Sequence, residues 1–251
     1  MRDIHYGKNY LTEVIARVDF LSPIEGMQEK LPKEITAEAK RRFPIVEPQM
    51  MFSQHVEVRA PAELSTRQTQ MKSWNFHGKN RDKTLTINPA AIFVEYIKYS
   101  AFEELKQDFS ATLTALFETF HEAQPSRLGL RYINNIVLTY DNEDPLSWAG
   151  LINGNMLNTF RVAPDPKTLA RVMSILEFNF GDFNLRYQFG MPNPDYPALI
   201  KQKFYVLDID AYYQGLLEPN EVDIRLTKFH DRIQELFEQS ITDKLRGIMN
   251  G

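Results

Sequence analysis

The chain has 251 residues, of which 43% are hydrophobic and 12% aromatic, and its formal net charge is −4. This composition can bury a sizeable core and excludes a disordered chain. The acidic balance argues against a protein that grips nucleic acid through its phosphates. Because the sequence holds no cysteine, disulfides, thiolate nucleophiles and cysteine-bound metals are excluded within it.

The sequence also predicts where the protein works. No apolar run reaches the roughly 18–20 residues that span a bilayer. The first residues lack the apolar core of a signal peptide. We therefore expect a cytoplasmic protein that makes no membrane contact.

The first part of the chain carries alternating patterns typical of strands, interrupted by two amphipathic helices. Pro44 and Pro48 are expected to break the chain after the first helix. The second helix carries the longer apolar stripe, in which Phe and Leu recur every three or four residues. The predicted elements are strands at 13–20, 52–59, 70–77, 83–88 and 91–99, and helices at 33–43 and 101–121.

The second part begins with a long strand whose alternation is expected to shift phase at Asn134-Asn135, which predicts a bulge or bend there. A kink is expected in the last helix near 240–243, where Ser, Thr and Asp interrupt the apolar stripe. The predicted elements are strands at 127–140, 168–180, 183–189 and 203–214, and helices at 146–157 and 221–249.

This order of elements predicts an α+β fold with antiparallel sheet covered on one face by two long helices. The two parts look loosely alike, since each combines several strands with one long helix. We expect either two similar α+β halves, at 1–141 and 145–251, or one continuous domain. The segment 141–145 is the expected hinge, because it carries a proline among polar residues.

Two strands hold polar residues that stand out as candidates for binding. Asp208 and Asp210 are two apart, so both carboxylates project from one face, where they would hold a divalent metal, share acid–base work or simply face solvent. Arg131 would clamp a phosphate or carboxylate, or pair with one of those acids across the sheet. Asn134 lies three residues further on. We favour the structural interpretation of both sets and assign no catalytic residue.

The motifs of common enzyme classes are missing. None of the five histidines forms a zinc-binding pattern. The sequence has no nucleophile elbow, no phosphate loop and no dinucleotide-binding glycine pattern. His230 is expected at the surface or core edge of the last helix. We therefore expect no metal and no cofactor.

Five short motifs, in this order and spacing, resemble a sporadically distributed prokaryotic family of cytosolic proteins of about this size. The resemblance covers nearly the full length and implies no activity or catalytic residue to carry over. Its patchy distribution is typical of accessory genes, including anti-phage defence and toxin-neutralising modules. The motifs are Glu13-Val14-Ile15, Trp74-x-Phe76, Arg131-Tyr132-Ile133-Asn134, Leu207-Asp208-Ile209-Asp210 and the tail His230…Phe237…Ile241-Thr242…Leu245-Arg246.

Three functions are open at this point. The favoured one is a non-enzymatic component that binds another protein or itself, because catalytic motifs are missing and aromatic residues are plentiful. The second is a metal-dependent hydrolase or nuclease using Asp208 and Asp210. The third is a sensor of a small ligand or nucleotide with Arg131 and Asn134 in its pocket.

Overall fold

Nine strands form a single sheet in the computed structural model of the chain, and every described pairing is antiparallel. The structure describes residues 4–27, 29–59, 63–138 and 144–251, without the side chains of 49–71 and 161. The strands are β1 (Leu11–Phe20), β2 (Ile45–Arg59), β3 (Glu63–His77), β4 (Lys83–Asn88), β5 (Ala91–Tyr96), β6 (Pro125–Val137), β7 (Val172–Asn179), β8 (Asn184–Met191) and β9 (Phe204–Gln214).

Four α-helices accompany the sheet within the described ranges. Segments of 3-10 helix lie at Glu25–Met27, Gly154–Val162, Pro166–Thr168 and Pro219–Glu221. None of the described helices combines the length and the apolar character needed to cross a bilayer. The α-helices are α1 (Lys33–Arg42), α2 (Phe102–Thr119), α3 (Val222–Ser240) and α4 (Asp243–Asn250).

The strand order is β2-β3-β4-β5-β1-β6-β9-β8-β7, and it explains why one sheet holds both parts of the chain. A meander runs from β2 to β5, and β5 returns to pair with β1 before α2 begins. A second meander runs from β7 to β9, and β9 returns to pair with β6 before α3 begins. β1 and β6 pair with each other, so the ladder is continuous at the middle of the sheet. The predicted α+β fold with antiparallel sheet is confirmed.

The two parts of the chain follow similar but unequal paths, with five strands before α2 and four more before α3, and their duplication stays a prediction. Of the expected hinge at 141–145, residues 141–143 lie outside the described residues.

One hydrophobic core unites the sheet with the helices. Leu105, Phe109 and Leu113 on α2 are buried in it, as are Leu226 and Phe229 on α3. The strands contribute the residues of one alternation phase, which we call the core face. On β6 and β9 the core face consists of Leu128, Leu130, Tyr132, Asn134, Ile136, Tyr205, Leu207, Ile209 and Ala211.

The alternation of β6 does not shift phase at Asn134-Asn135, so that prediction was wrong. Asn134 is itself a core-face residue, buried between Tyr132 and Ile136 in an unbroken alternation. An irregularity does occur in this ladder, but the extra residue is Thr12 on β1, where the pairing skips from Leu11 to Glu13. A polar residue in an apolar series was mistaken for a change of register.

Three other predicted elements differ from the structure. Pro48 lies inside β2 rather than ending the chain's regular structure, which the sheet tolerates because β2 is an edge strand. The helix predicted at 146–157 is replaced by turns and a 3-10 helix, since Gly150 adopts a positive φ that an α-helix cannot contain. The kink expected near 240–243 is a full break between α3 and α4, where the Thr242 hydroxyl caps Leu245 N.

Asp108 of α2 holds four elements together from a buried position. Its side chain is 1% exposed, and it accepts hydrogen bonds from Arg42 on α1 at 2.8 Å and from Lys83 on β4 and Tyr96 on β5 at 2.5 Å each. A buried carboxylate is tolerable only when such partners replace its lost hydration.

We expect Asp108→Ala to lower the free energy of unfolding by about 2–4 kcal/mol, because it leaves the Lys83 ammonium and the Tyr96 hydroxyl without their shared acceptor. Urea unfolding followed by circular dichroism measures the change. Glu103→Ala is the matched control, since Glu103 on the same helix is 65% exposed and should change stability by less than about 0.5 kcal/mol. Equal losses in the two variants would contradict the role given to Asp108.

Candidate functional site

The polar residues singled out from the sequence lie on two opposite faces of the sheet. In the β6–β9 ladder Arg131 is opposite Asp210, and Ile133 is opposite Asp208. Arg131, Asp208 and Asp210 therefore share one face of the sheet. Asn134 projects from the other face, into the core. Arg131 and Asn134 therefore cannot line the same pocket, because side chains alternate along a strand. The four residues belong to two sites.

Arg131 and Asp208 form a bidentate ion pair across the two central strands. Arg131 Nε donates to Asp208 Oδ1 at 2.8 Å, and Nη2 donates to Oδ2 at 2.6 Å. The hydrogen bonds to Asp208 raise the pKa of the Arg131 guanidinium, against a smaller opposing effect of burial. Both carboxylate oxygens of Asp208 are thus committed to one partner, and this is the structural pairing that the sequence suggested.

The environment of Asp210 stabilises a carboxylate less well than that of Asp208. Its nearest cation is Arg127, whose Nη2 lies 3.6 Å from Oδ2. Burial raises the pKa of the Asp210 carboxyl, and the charges of Arg127 and Arg131 offset this only in part. Asp210 is therefore an acid whose ionised form the fold disfavours.

The ion pairs continue across five strands as a row of alternating charge. Arg17 binds Asp19 at 2.6 Å on β1, and Arg127 lies 3.6 Å from Asp19 as well as from Asp210. Arg186 is opposite Asp210 in the β8–β9 ladder, and its Nε is 3.9 Å from Glu177 on β7. We call this set the charged row; it consists of Arg17, Asp19, Arg127, Asp210, Arg131, Asp208, Arg186 and Glu177.

A trough of about 420 Å³ lies beside the middle of the charged row. Gly129 makes room for it at the centre of the sheet. A Cβ at Gly129 would lie 3.0 Å from the Arg127 guanidinium, which would have to shift by a few tenths of an ångström. The walls combine three arginines and three acids with one aromatic ring, that of Phe93, over which Arg17 lies at 5.6 Å.

The exposed part of the charged row is mainly guanidinium. The side chains of Arg17, Arg131 and Arg186 are 47%, 42% and 49% exposed. The carboxylates beneath them are more covered, with Asp19 at 23%, Asp208 at 12% and Asp210 at 26%. Among the described acids of the row, Glu177 at its end is the exception, at 63%. Three arginines of the row are thus more exposed than three of its four acids, while Arg127 is only 27% exposed and Glu95 also lines the trough.

The arrangement of acids does not resemble a metal centre. Within the residues that the structure describes, no three His, Asp or Glu side chains are grouped to hold a metal ion. Asp208 and Asp210 share a face, but the Arg131 guanidinium occupies both oxygens of Asp208. The positive charge of that guanidinium opposes the binding of a cation at this place.

The second site is a pocket of about 280 Å³ on the opposite side, where Asn134 lies. Its polar floor is a hydrogen-bonded chain in which the Tyr99 and Tyr132 hydroxyls are 2.8 Å apart and the Tyr132 hydroxyl is 2.9 Å from His230 Nδ1. The His230 ring is stacked on Phe102, with centroids 4.1 Å apart. The whole arrangement joins β6 to α3 and to the start of α2.

Sequence analysis did not identify this pocket, and it placed His230 at the surface or core edge. His230 is instead 5% exposed. The signal was its spacing, since it lies four residues after Leu226 and three before Ile233 in the apolar stripe of α3. Tyr99 carried no such signal, because it lies between β5 and α2 and its contact with Tyr132 spans 33 residues.

We expect Arg131→Met to lower the free energy of unfolding by about 1–2 kcal/mol, because it leaves the covered Asp208 carboxylate without its donor. Adding Asp208→Asn removes that charge, so the double variant should be more stable than Arg131→Met alone. Urea unfolding of the four-member cycle measures the coupling. The control is Arg186→Met, whose ion pair is longer and more exposed. Strictly additive losses would contradict the pairing.

We expect Asp210→Asn to be more stable than the wild type at neutral pH. The folded pKa of Asp210 is raised above its unfolded value, so ionisation of this group destabilises the folded state. The advantage of the variant should shrink as pH falls through the folded pKa and vanish below the unfolded value near 4. Thermal unfolding between pH 3 and 7 tests this, and a less stable variant at pH 7 would refute it.

Comparison of the sequence with known proteins does not connect the chain to a family. No protein-family model matches the chain, and no curated protein matches it significantly. The family resemblance of the short motifs therefore stays a prediction, and function has to be inferred from the two sites.

Proposed function

We propose that this chain is a non-enzymatic interaction protein whose charged row binds an acidic segment of another protein. In this proposal α2 and α3 together cover the core face of the sheet, while the opposite face is the docking surface. The motif resemblance extends the proposal to a cytosolic component of an accessory module, of the anti-phage defence or toxin-neutralising kind.

The observation that carries the proposal is the unequal exposure within the charged row. Arg17, Arg131 and Arg186 are nearly half exposed, whereas the carboxylates of Asp19, Asp208 and Asp210 are largely covered. Guanidinium groups bind carboxylates bidentately and are enriched in protein interfaces. A partner that offers Asp or Glu side chains would complete the outer layer of the row without displacing the inner one.

The commitment of the acids to internal partners supports a binding role over a catalytic one. A general acid or base has to reach a substrate, and a metal site needs several oxygen ligands without a competing positive charge among them. Both oxygens of Asp208 already accept hydrogen bonds from Arg131. Asp210 lies between the guanidinium groups of Arg127 and Arg131.

The trough beside Gly129 has the mixed composition of an interface centre. Phe93 and Ile15 supply partly covered apolar surface, and Arg17 and Arg131 lie beside them. The Arg127 guanidinium also lies over the Tyr212 ring at 5.4 Å. Aromatic side chains and arginine are the residues over-represented where proteins bind each other tightly.

Charge favours a protein partner over a nucleic acid. The chain has a net charge of −4, and Asp19, Asp208 and Asp210 lie directly behind the arginines. A polyphosphate backbone would bring many charges against these carboxylates at once, whereas a folded acidic segment brings only a few.

We expect charge reversal at the two ends of the row to abolish partner binding. The tagged full chain and its Arg17→Glu/Arg186→Glu variant would be used as baits in lysate of the native host, followed by quantitative mass spectrometry and cross-linking. Proteins captured by the wild type should be depleted about ten-fold or more by the variant. Their cross-links should join acidic segments to the charged row, and higher salt should weaken capture.

The matched control is Lys40→Glu/Arg41→Glu, which makes the same charge change at exposed positions of α1. It should capture the same proteins as the wild type. Equal capture by all three baits would reject the charged row as the docking surface. Recovery of nucleic acid in place of protein would reject the partner class. A wild-type dimer that the row variant alone dissociates in light scattering would make the partner a second copy of this chain.

A further inference from the structure

We propose that the pocket around Asn134 binds an uncharged, planar heteroaromatic molecule of nucleobase size. The pocket is lined by Tyr6, Tyr99, Tyr132, Asn134, His230 and Phe237 together with apolar residues of β1, α3 and α4. It lies on the core side of β6, so it is separate from the charged row and independent of the function proposed for that row.

Asn134 is the group that points to a ligand. It is 3% exposed and occupies a position on the core face where its neighbours Tyr132 and Ile136 are buried. Its side-chain Nδ2 donates to Leu207 O at 3.5 Å, the outer limit of a hydrogen bond. A carboxamide needs more than one long bond to offset burial. Asn134 lines the pocket, so a ligand there would lie within reach of its carboxamide.

The charge of the lining favours an uncharged ligand over an anionic one. Among the described residues that line the pocket there is no lysine and no arginine, and the basic side chains are those of His5 and His230, of which His230 is already bonded to the Tyr132 hydroxyl. Its carboxylate, Glu238, accepts hydrogen bonds from Arg246 at 2.8 Å and from the Tyr6 hydroxyl at 2.7 Å. Phosphate is typically bound by lysine, arginine or clustered N–H donors, so a nucleotide would bring more negative charge than this lining is built to balance.

The walls favour a flat ring system. Tyr99 and Tyr132 meet edge to face with centroids 5.4 Å apart, and Tyr6 meets Phe237 in the same way at 6.5 Å. Ile233 and Met249 add apolar surface. Aromatic rings attract other aromatic rings at such distances. Most of the ligand is therefore expected to be apolar surface in contact with rings.

The carboxamide of Asn134 determines which hydrogen-bonding groups the edge of that ring system should carry. An asparagine presents one acceptor and one donor side by side, and pairs with a ring edge that carries the complementary donor and acceptor. The volume of about 280 Å³ lies just below the usual range for small-molecule pockets. Together these features fit a one- or two-ring heterocycle such as a free nucleobase.

Binding would be measured by isothermal titration calorimetry on the full chain with adenine, hypoxanthine, cytosine, uracil and nicotinamide. AMP serves as the charged counterpart of adenine. We expect at least one of the five uncharged compounds to bind with one-to-one stoichiometry and AMP not to compete. Asn134→Leu should weaken binding about ten-fold or more, because it removes both hydrogen bonds of the edge.

Asn135→Leu is the matched control, since Asn135 is the next residue and its side chain bonds to Thr12 on the opposite face. This variant and Arg17→Glu/Arg186→Glu should bind the compound as the wild type does, which separates this proposal from that for the charged row. If Asn134→Leu does not fold, Asn134→Ala replaces it. Failure of all five compounds to bind, unchanged affinity in the Asn134 variant, or tighter binding of AMP than of adenine would each overturn the proposal.

Discussion

The alternation of side chains along β6 decides which polar residues of this chain can act together. Arg131 and Asn134 are three residues apart, and a strand sends residues an odd number apart to opposite faces. Arg131 therefore joins Asp208 and Asp210, which β9 presents on the same side. Asn134 joins Tyr132 and His230, which the core encloses. One strand thus builds two sites of different chemistry, and each is inaccessible to the residues of the other.

Much of this arrangement could be predicted from local patterns. The carboxylates of Asp208 and Asp210 share a face because the period of a strand is two, and Arg131 was a natural partner for either. The apolar stripes predicted both α2 and α3, because burial of one helix face leaves a strong sequence signal. Every helix end except the last one of α3 lies within a few residues of its prediction. Such features depend on near neighbours, so one sequence suffices to find them.

The features that the sequence did not predict depend on contacts between residues far apart in the chain. The position of Asn134 was misjudged because a buried amide interrupts an apolar series, and the sequence alone does not separate that case from a change of register. The charged row needed the strand order, which brings β1, β6, β9, β8 and β7 side by side although β1 and β9 are far apart in the chain. The contact between Tyr99 and Tyr132 likewise arises from packing, for which no periodic pattern exists.

The two sites share β6 and β9 but need not influence each other. The Nδ2 of Asn134 donates to the carbonyl of Leu207, the residue immediately before Asp208, so the sites are adjacent through the backbone. Coupling requires an element with two arrangements that the two ligands stabilise differently. β6 and β9 are central strands paired on both sides, and a shift of either would break hydrogen bonds in two ladders at once. The two sites therefore lie next to each other on β6 and β9, but the paired strands offer no second arrangement through which one ligand could affect the binding of the other.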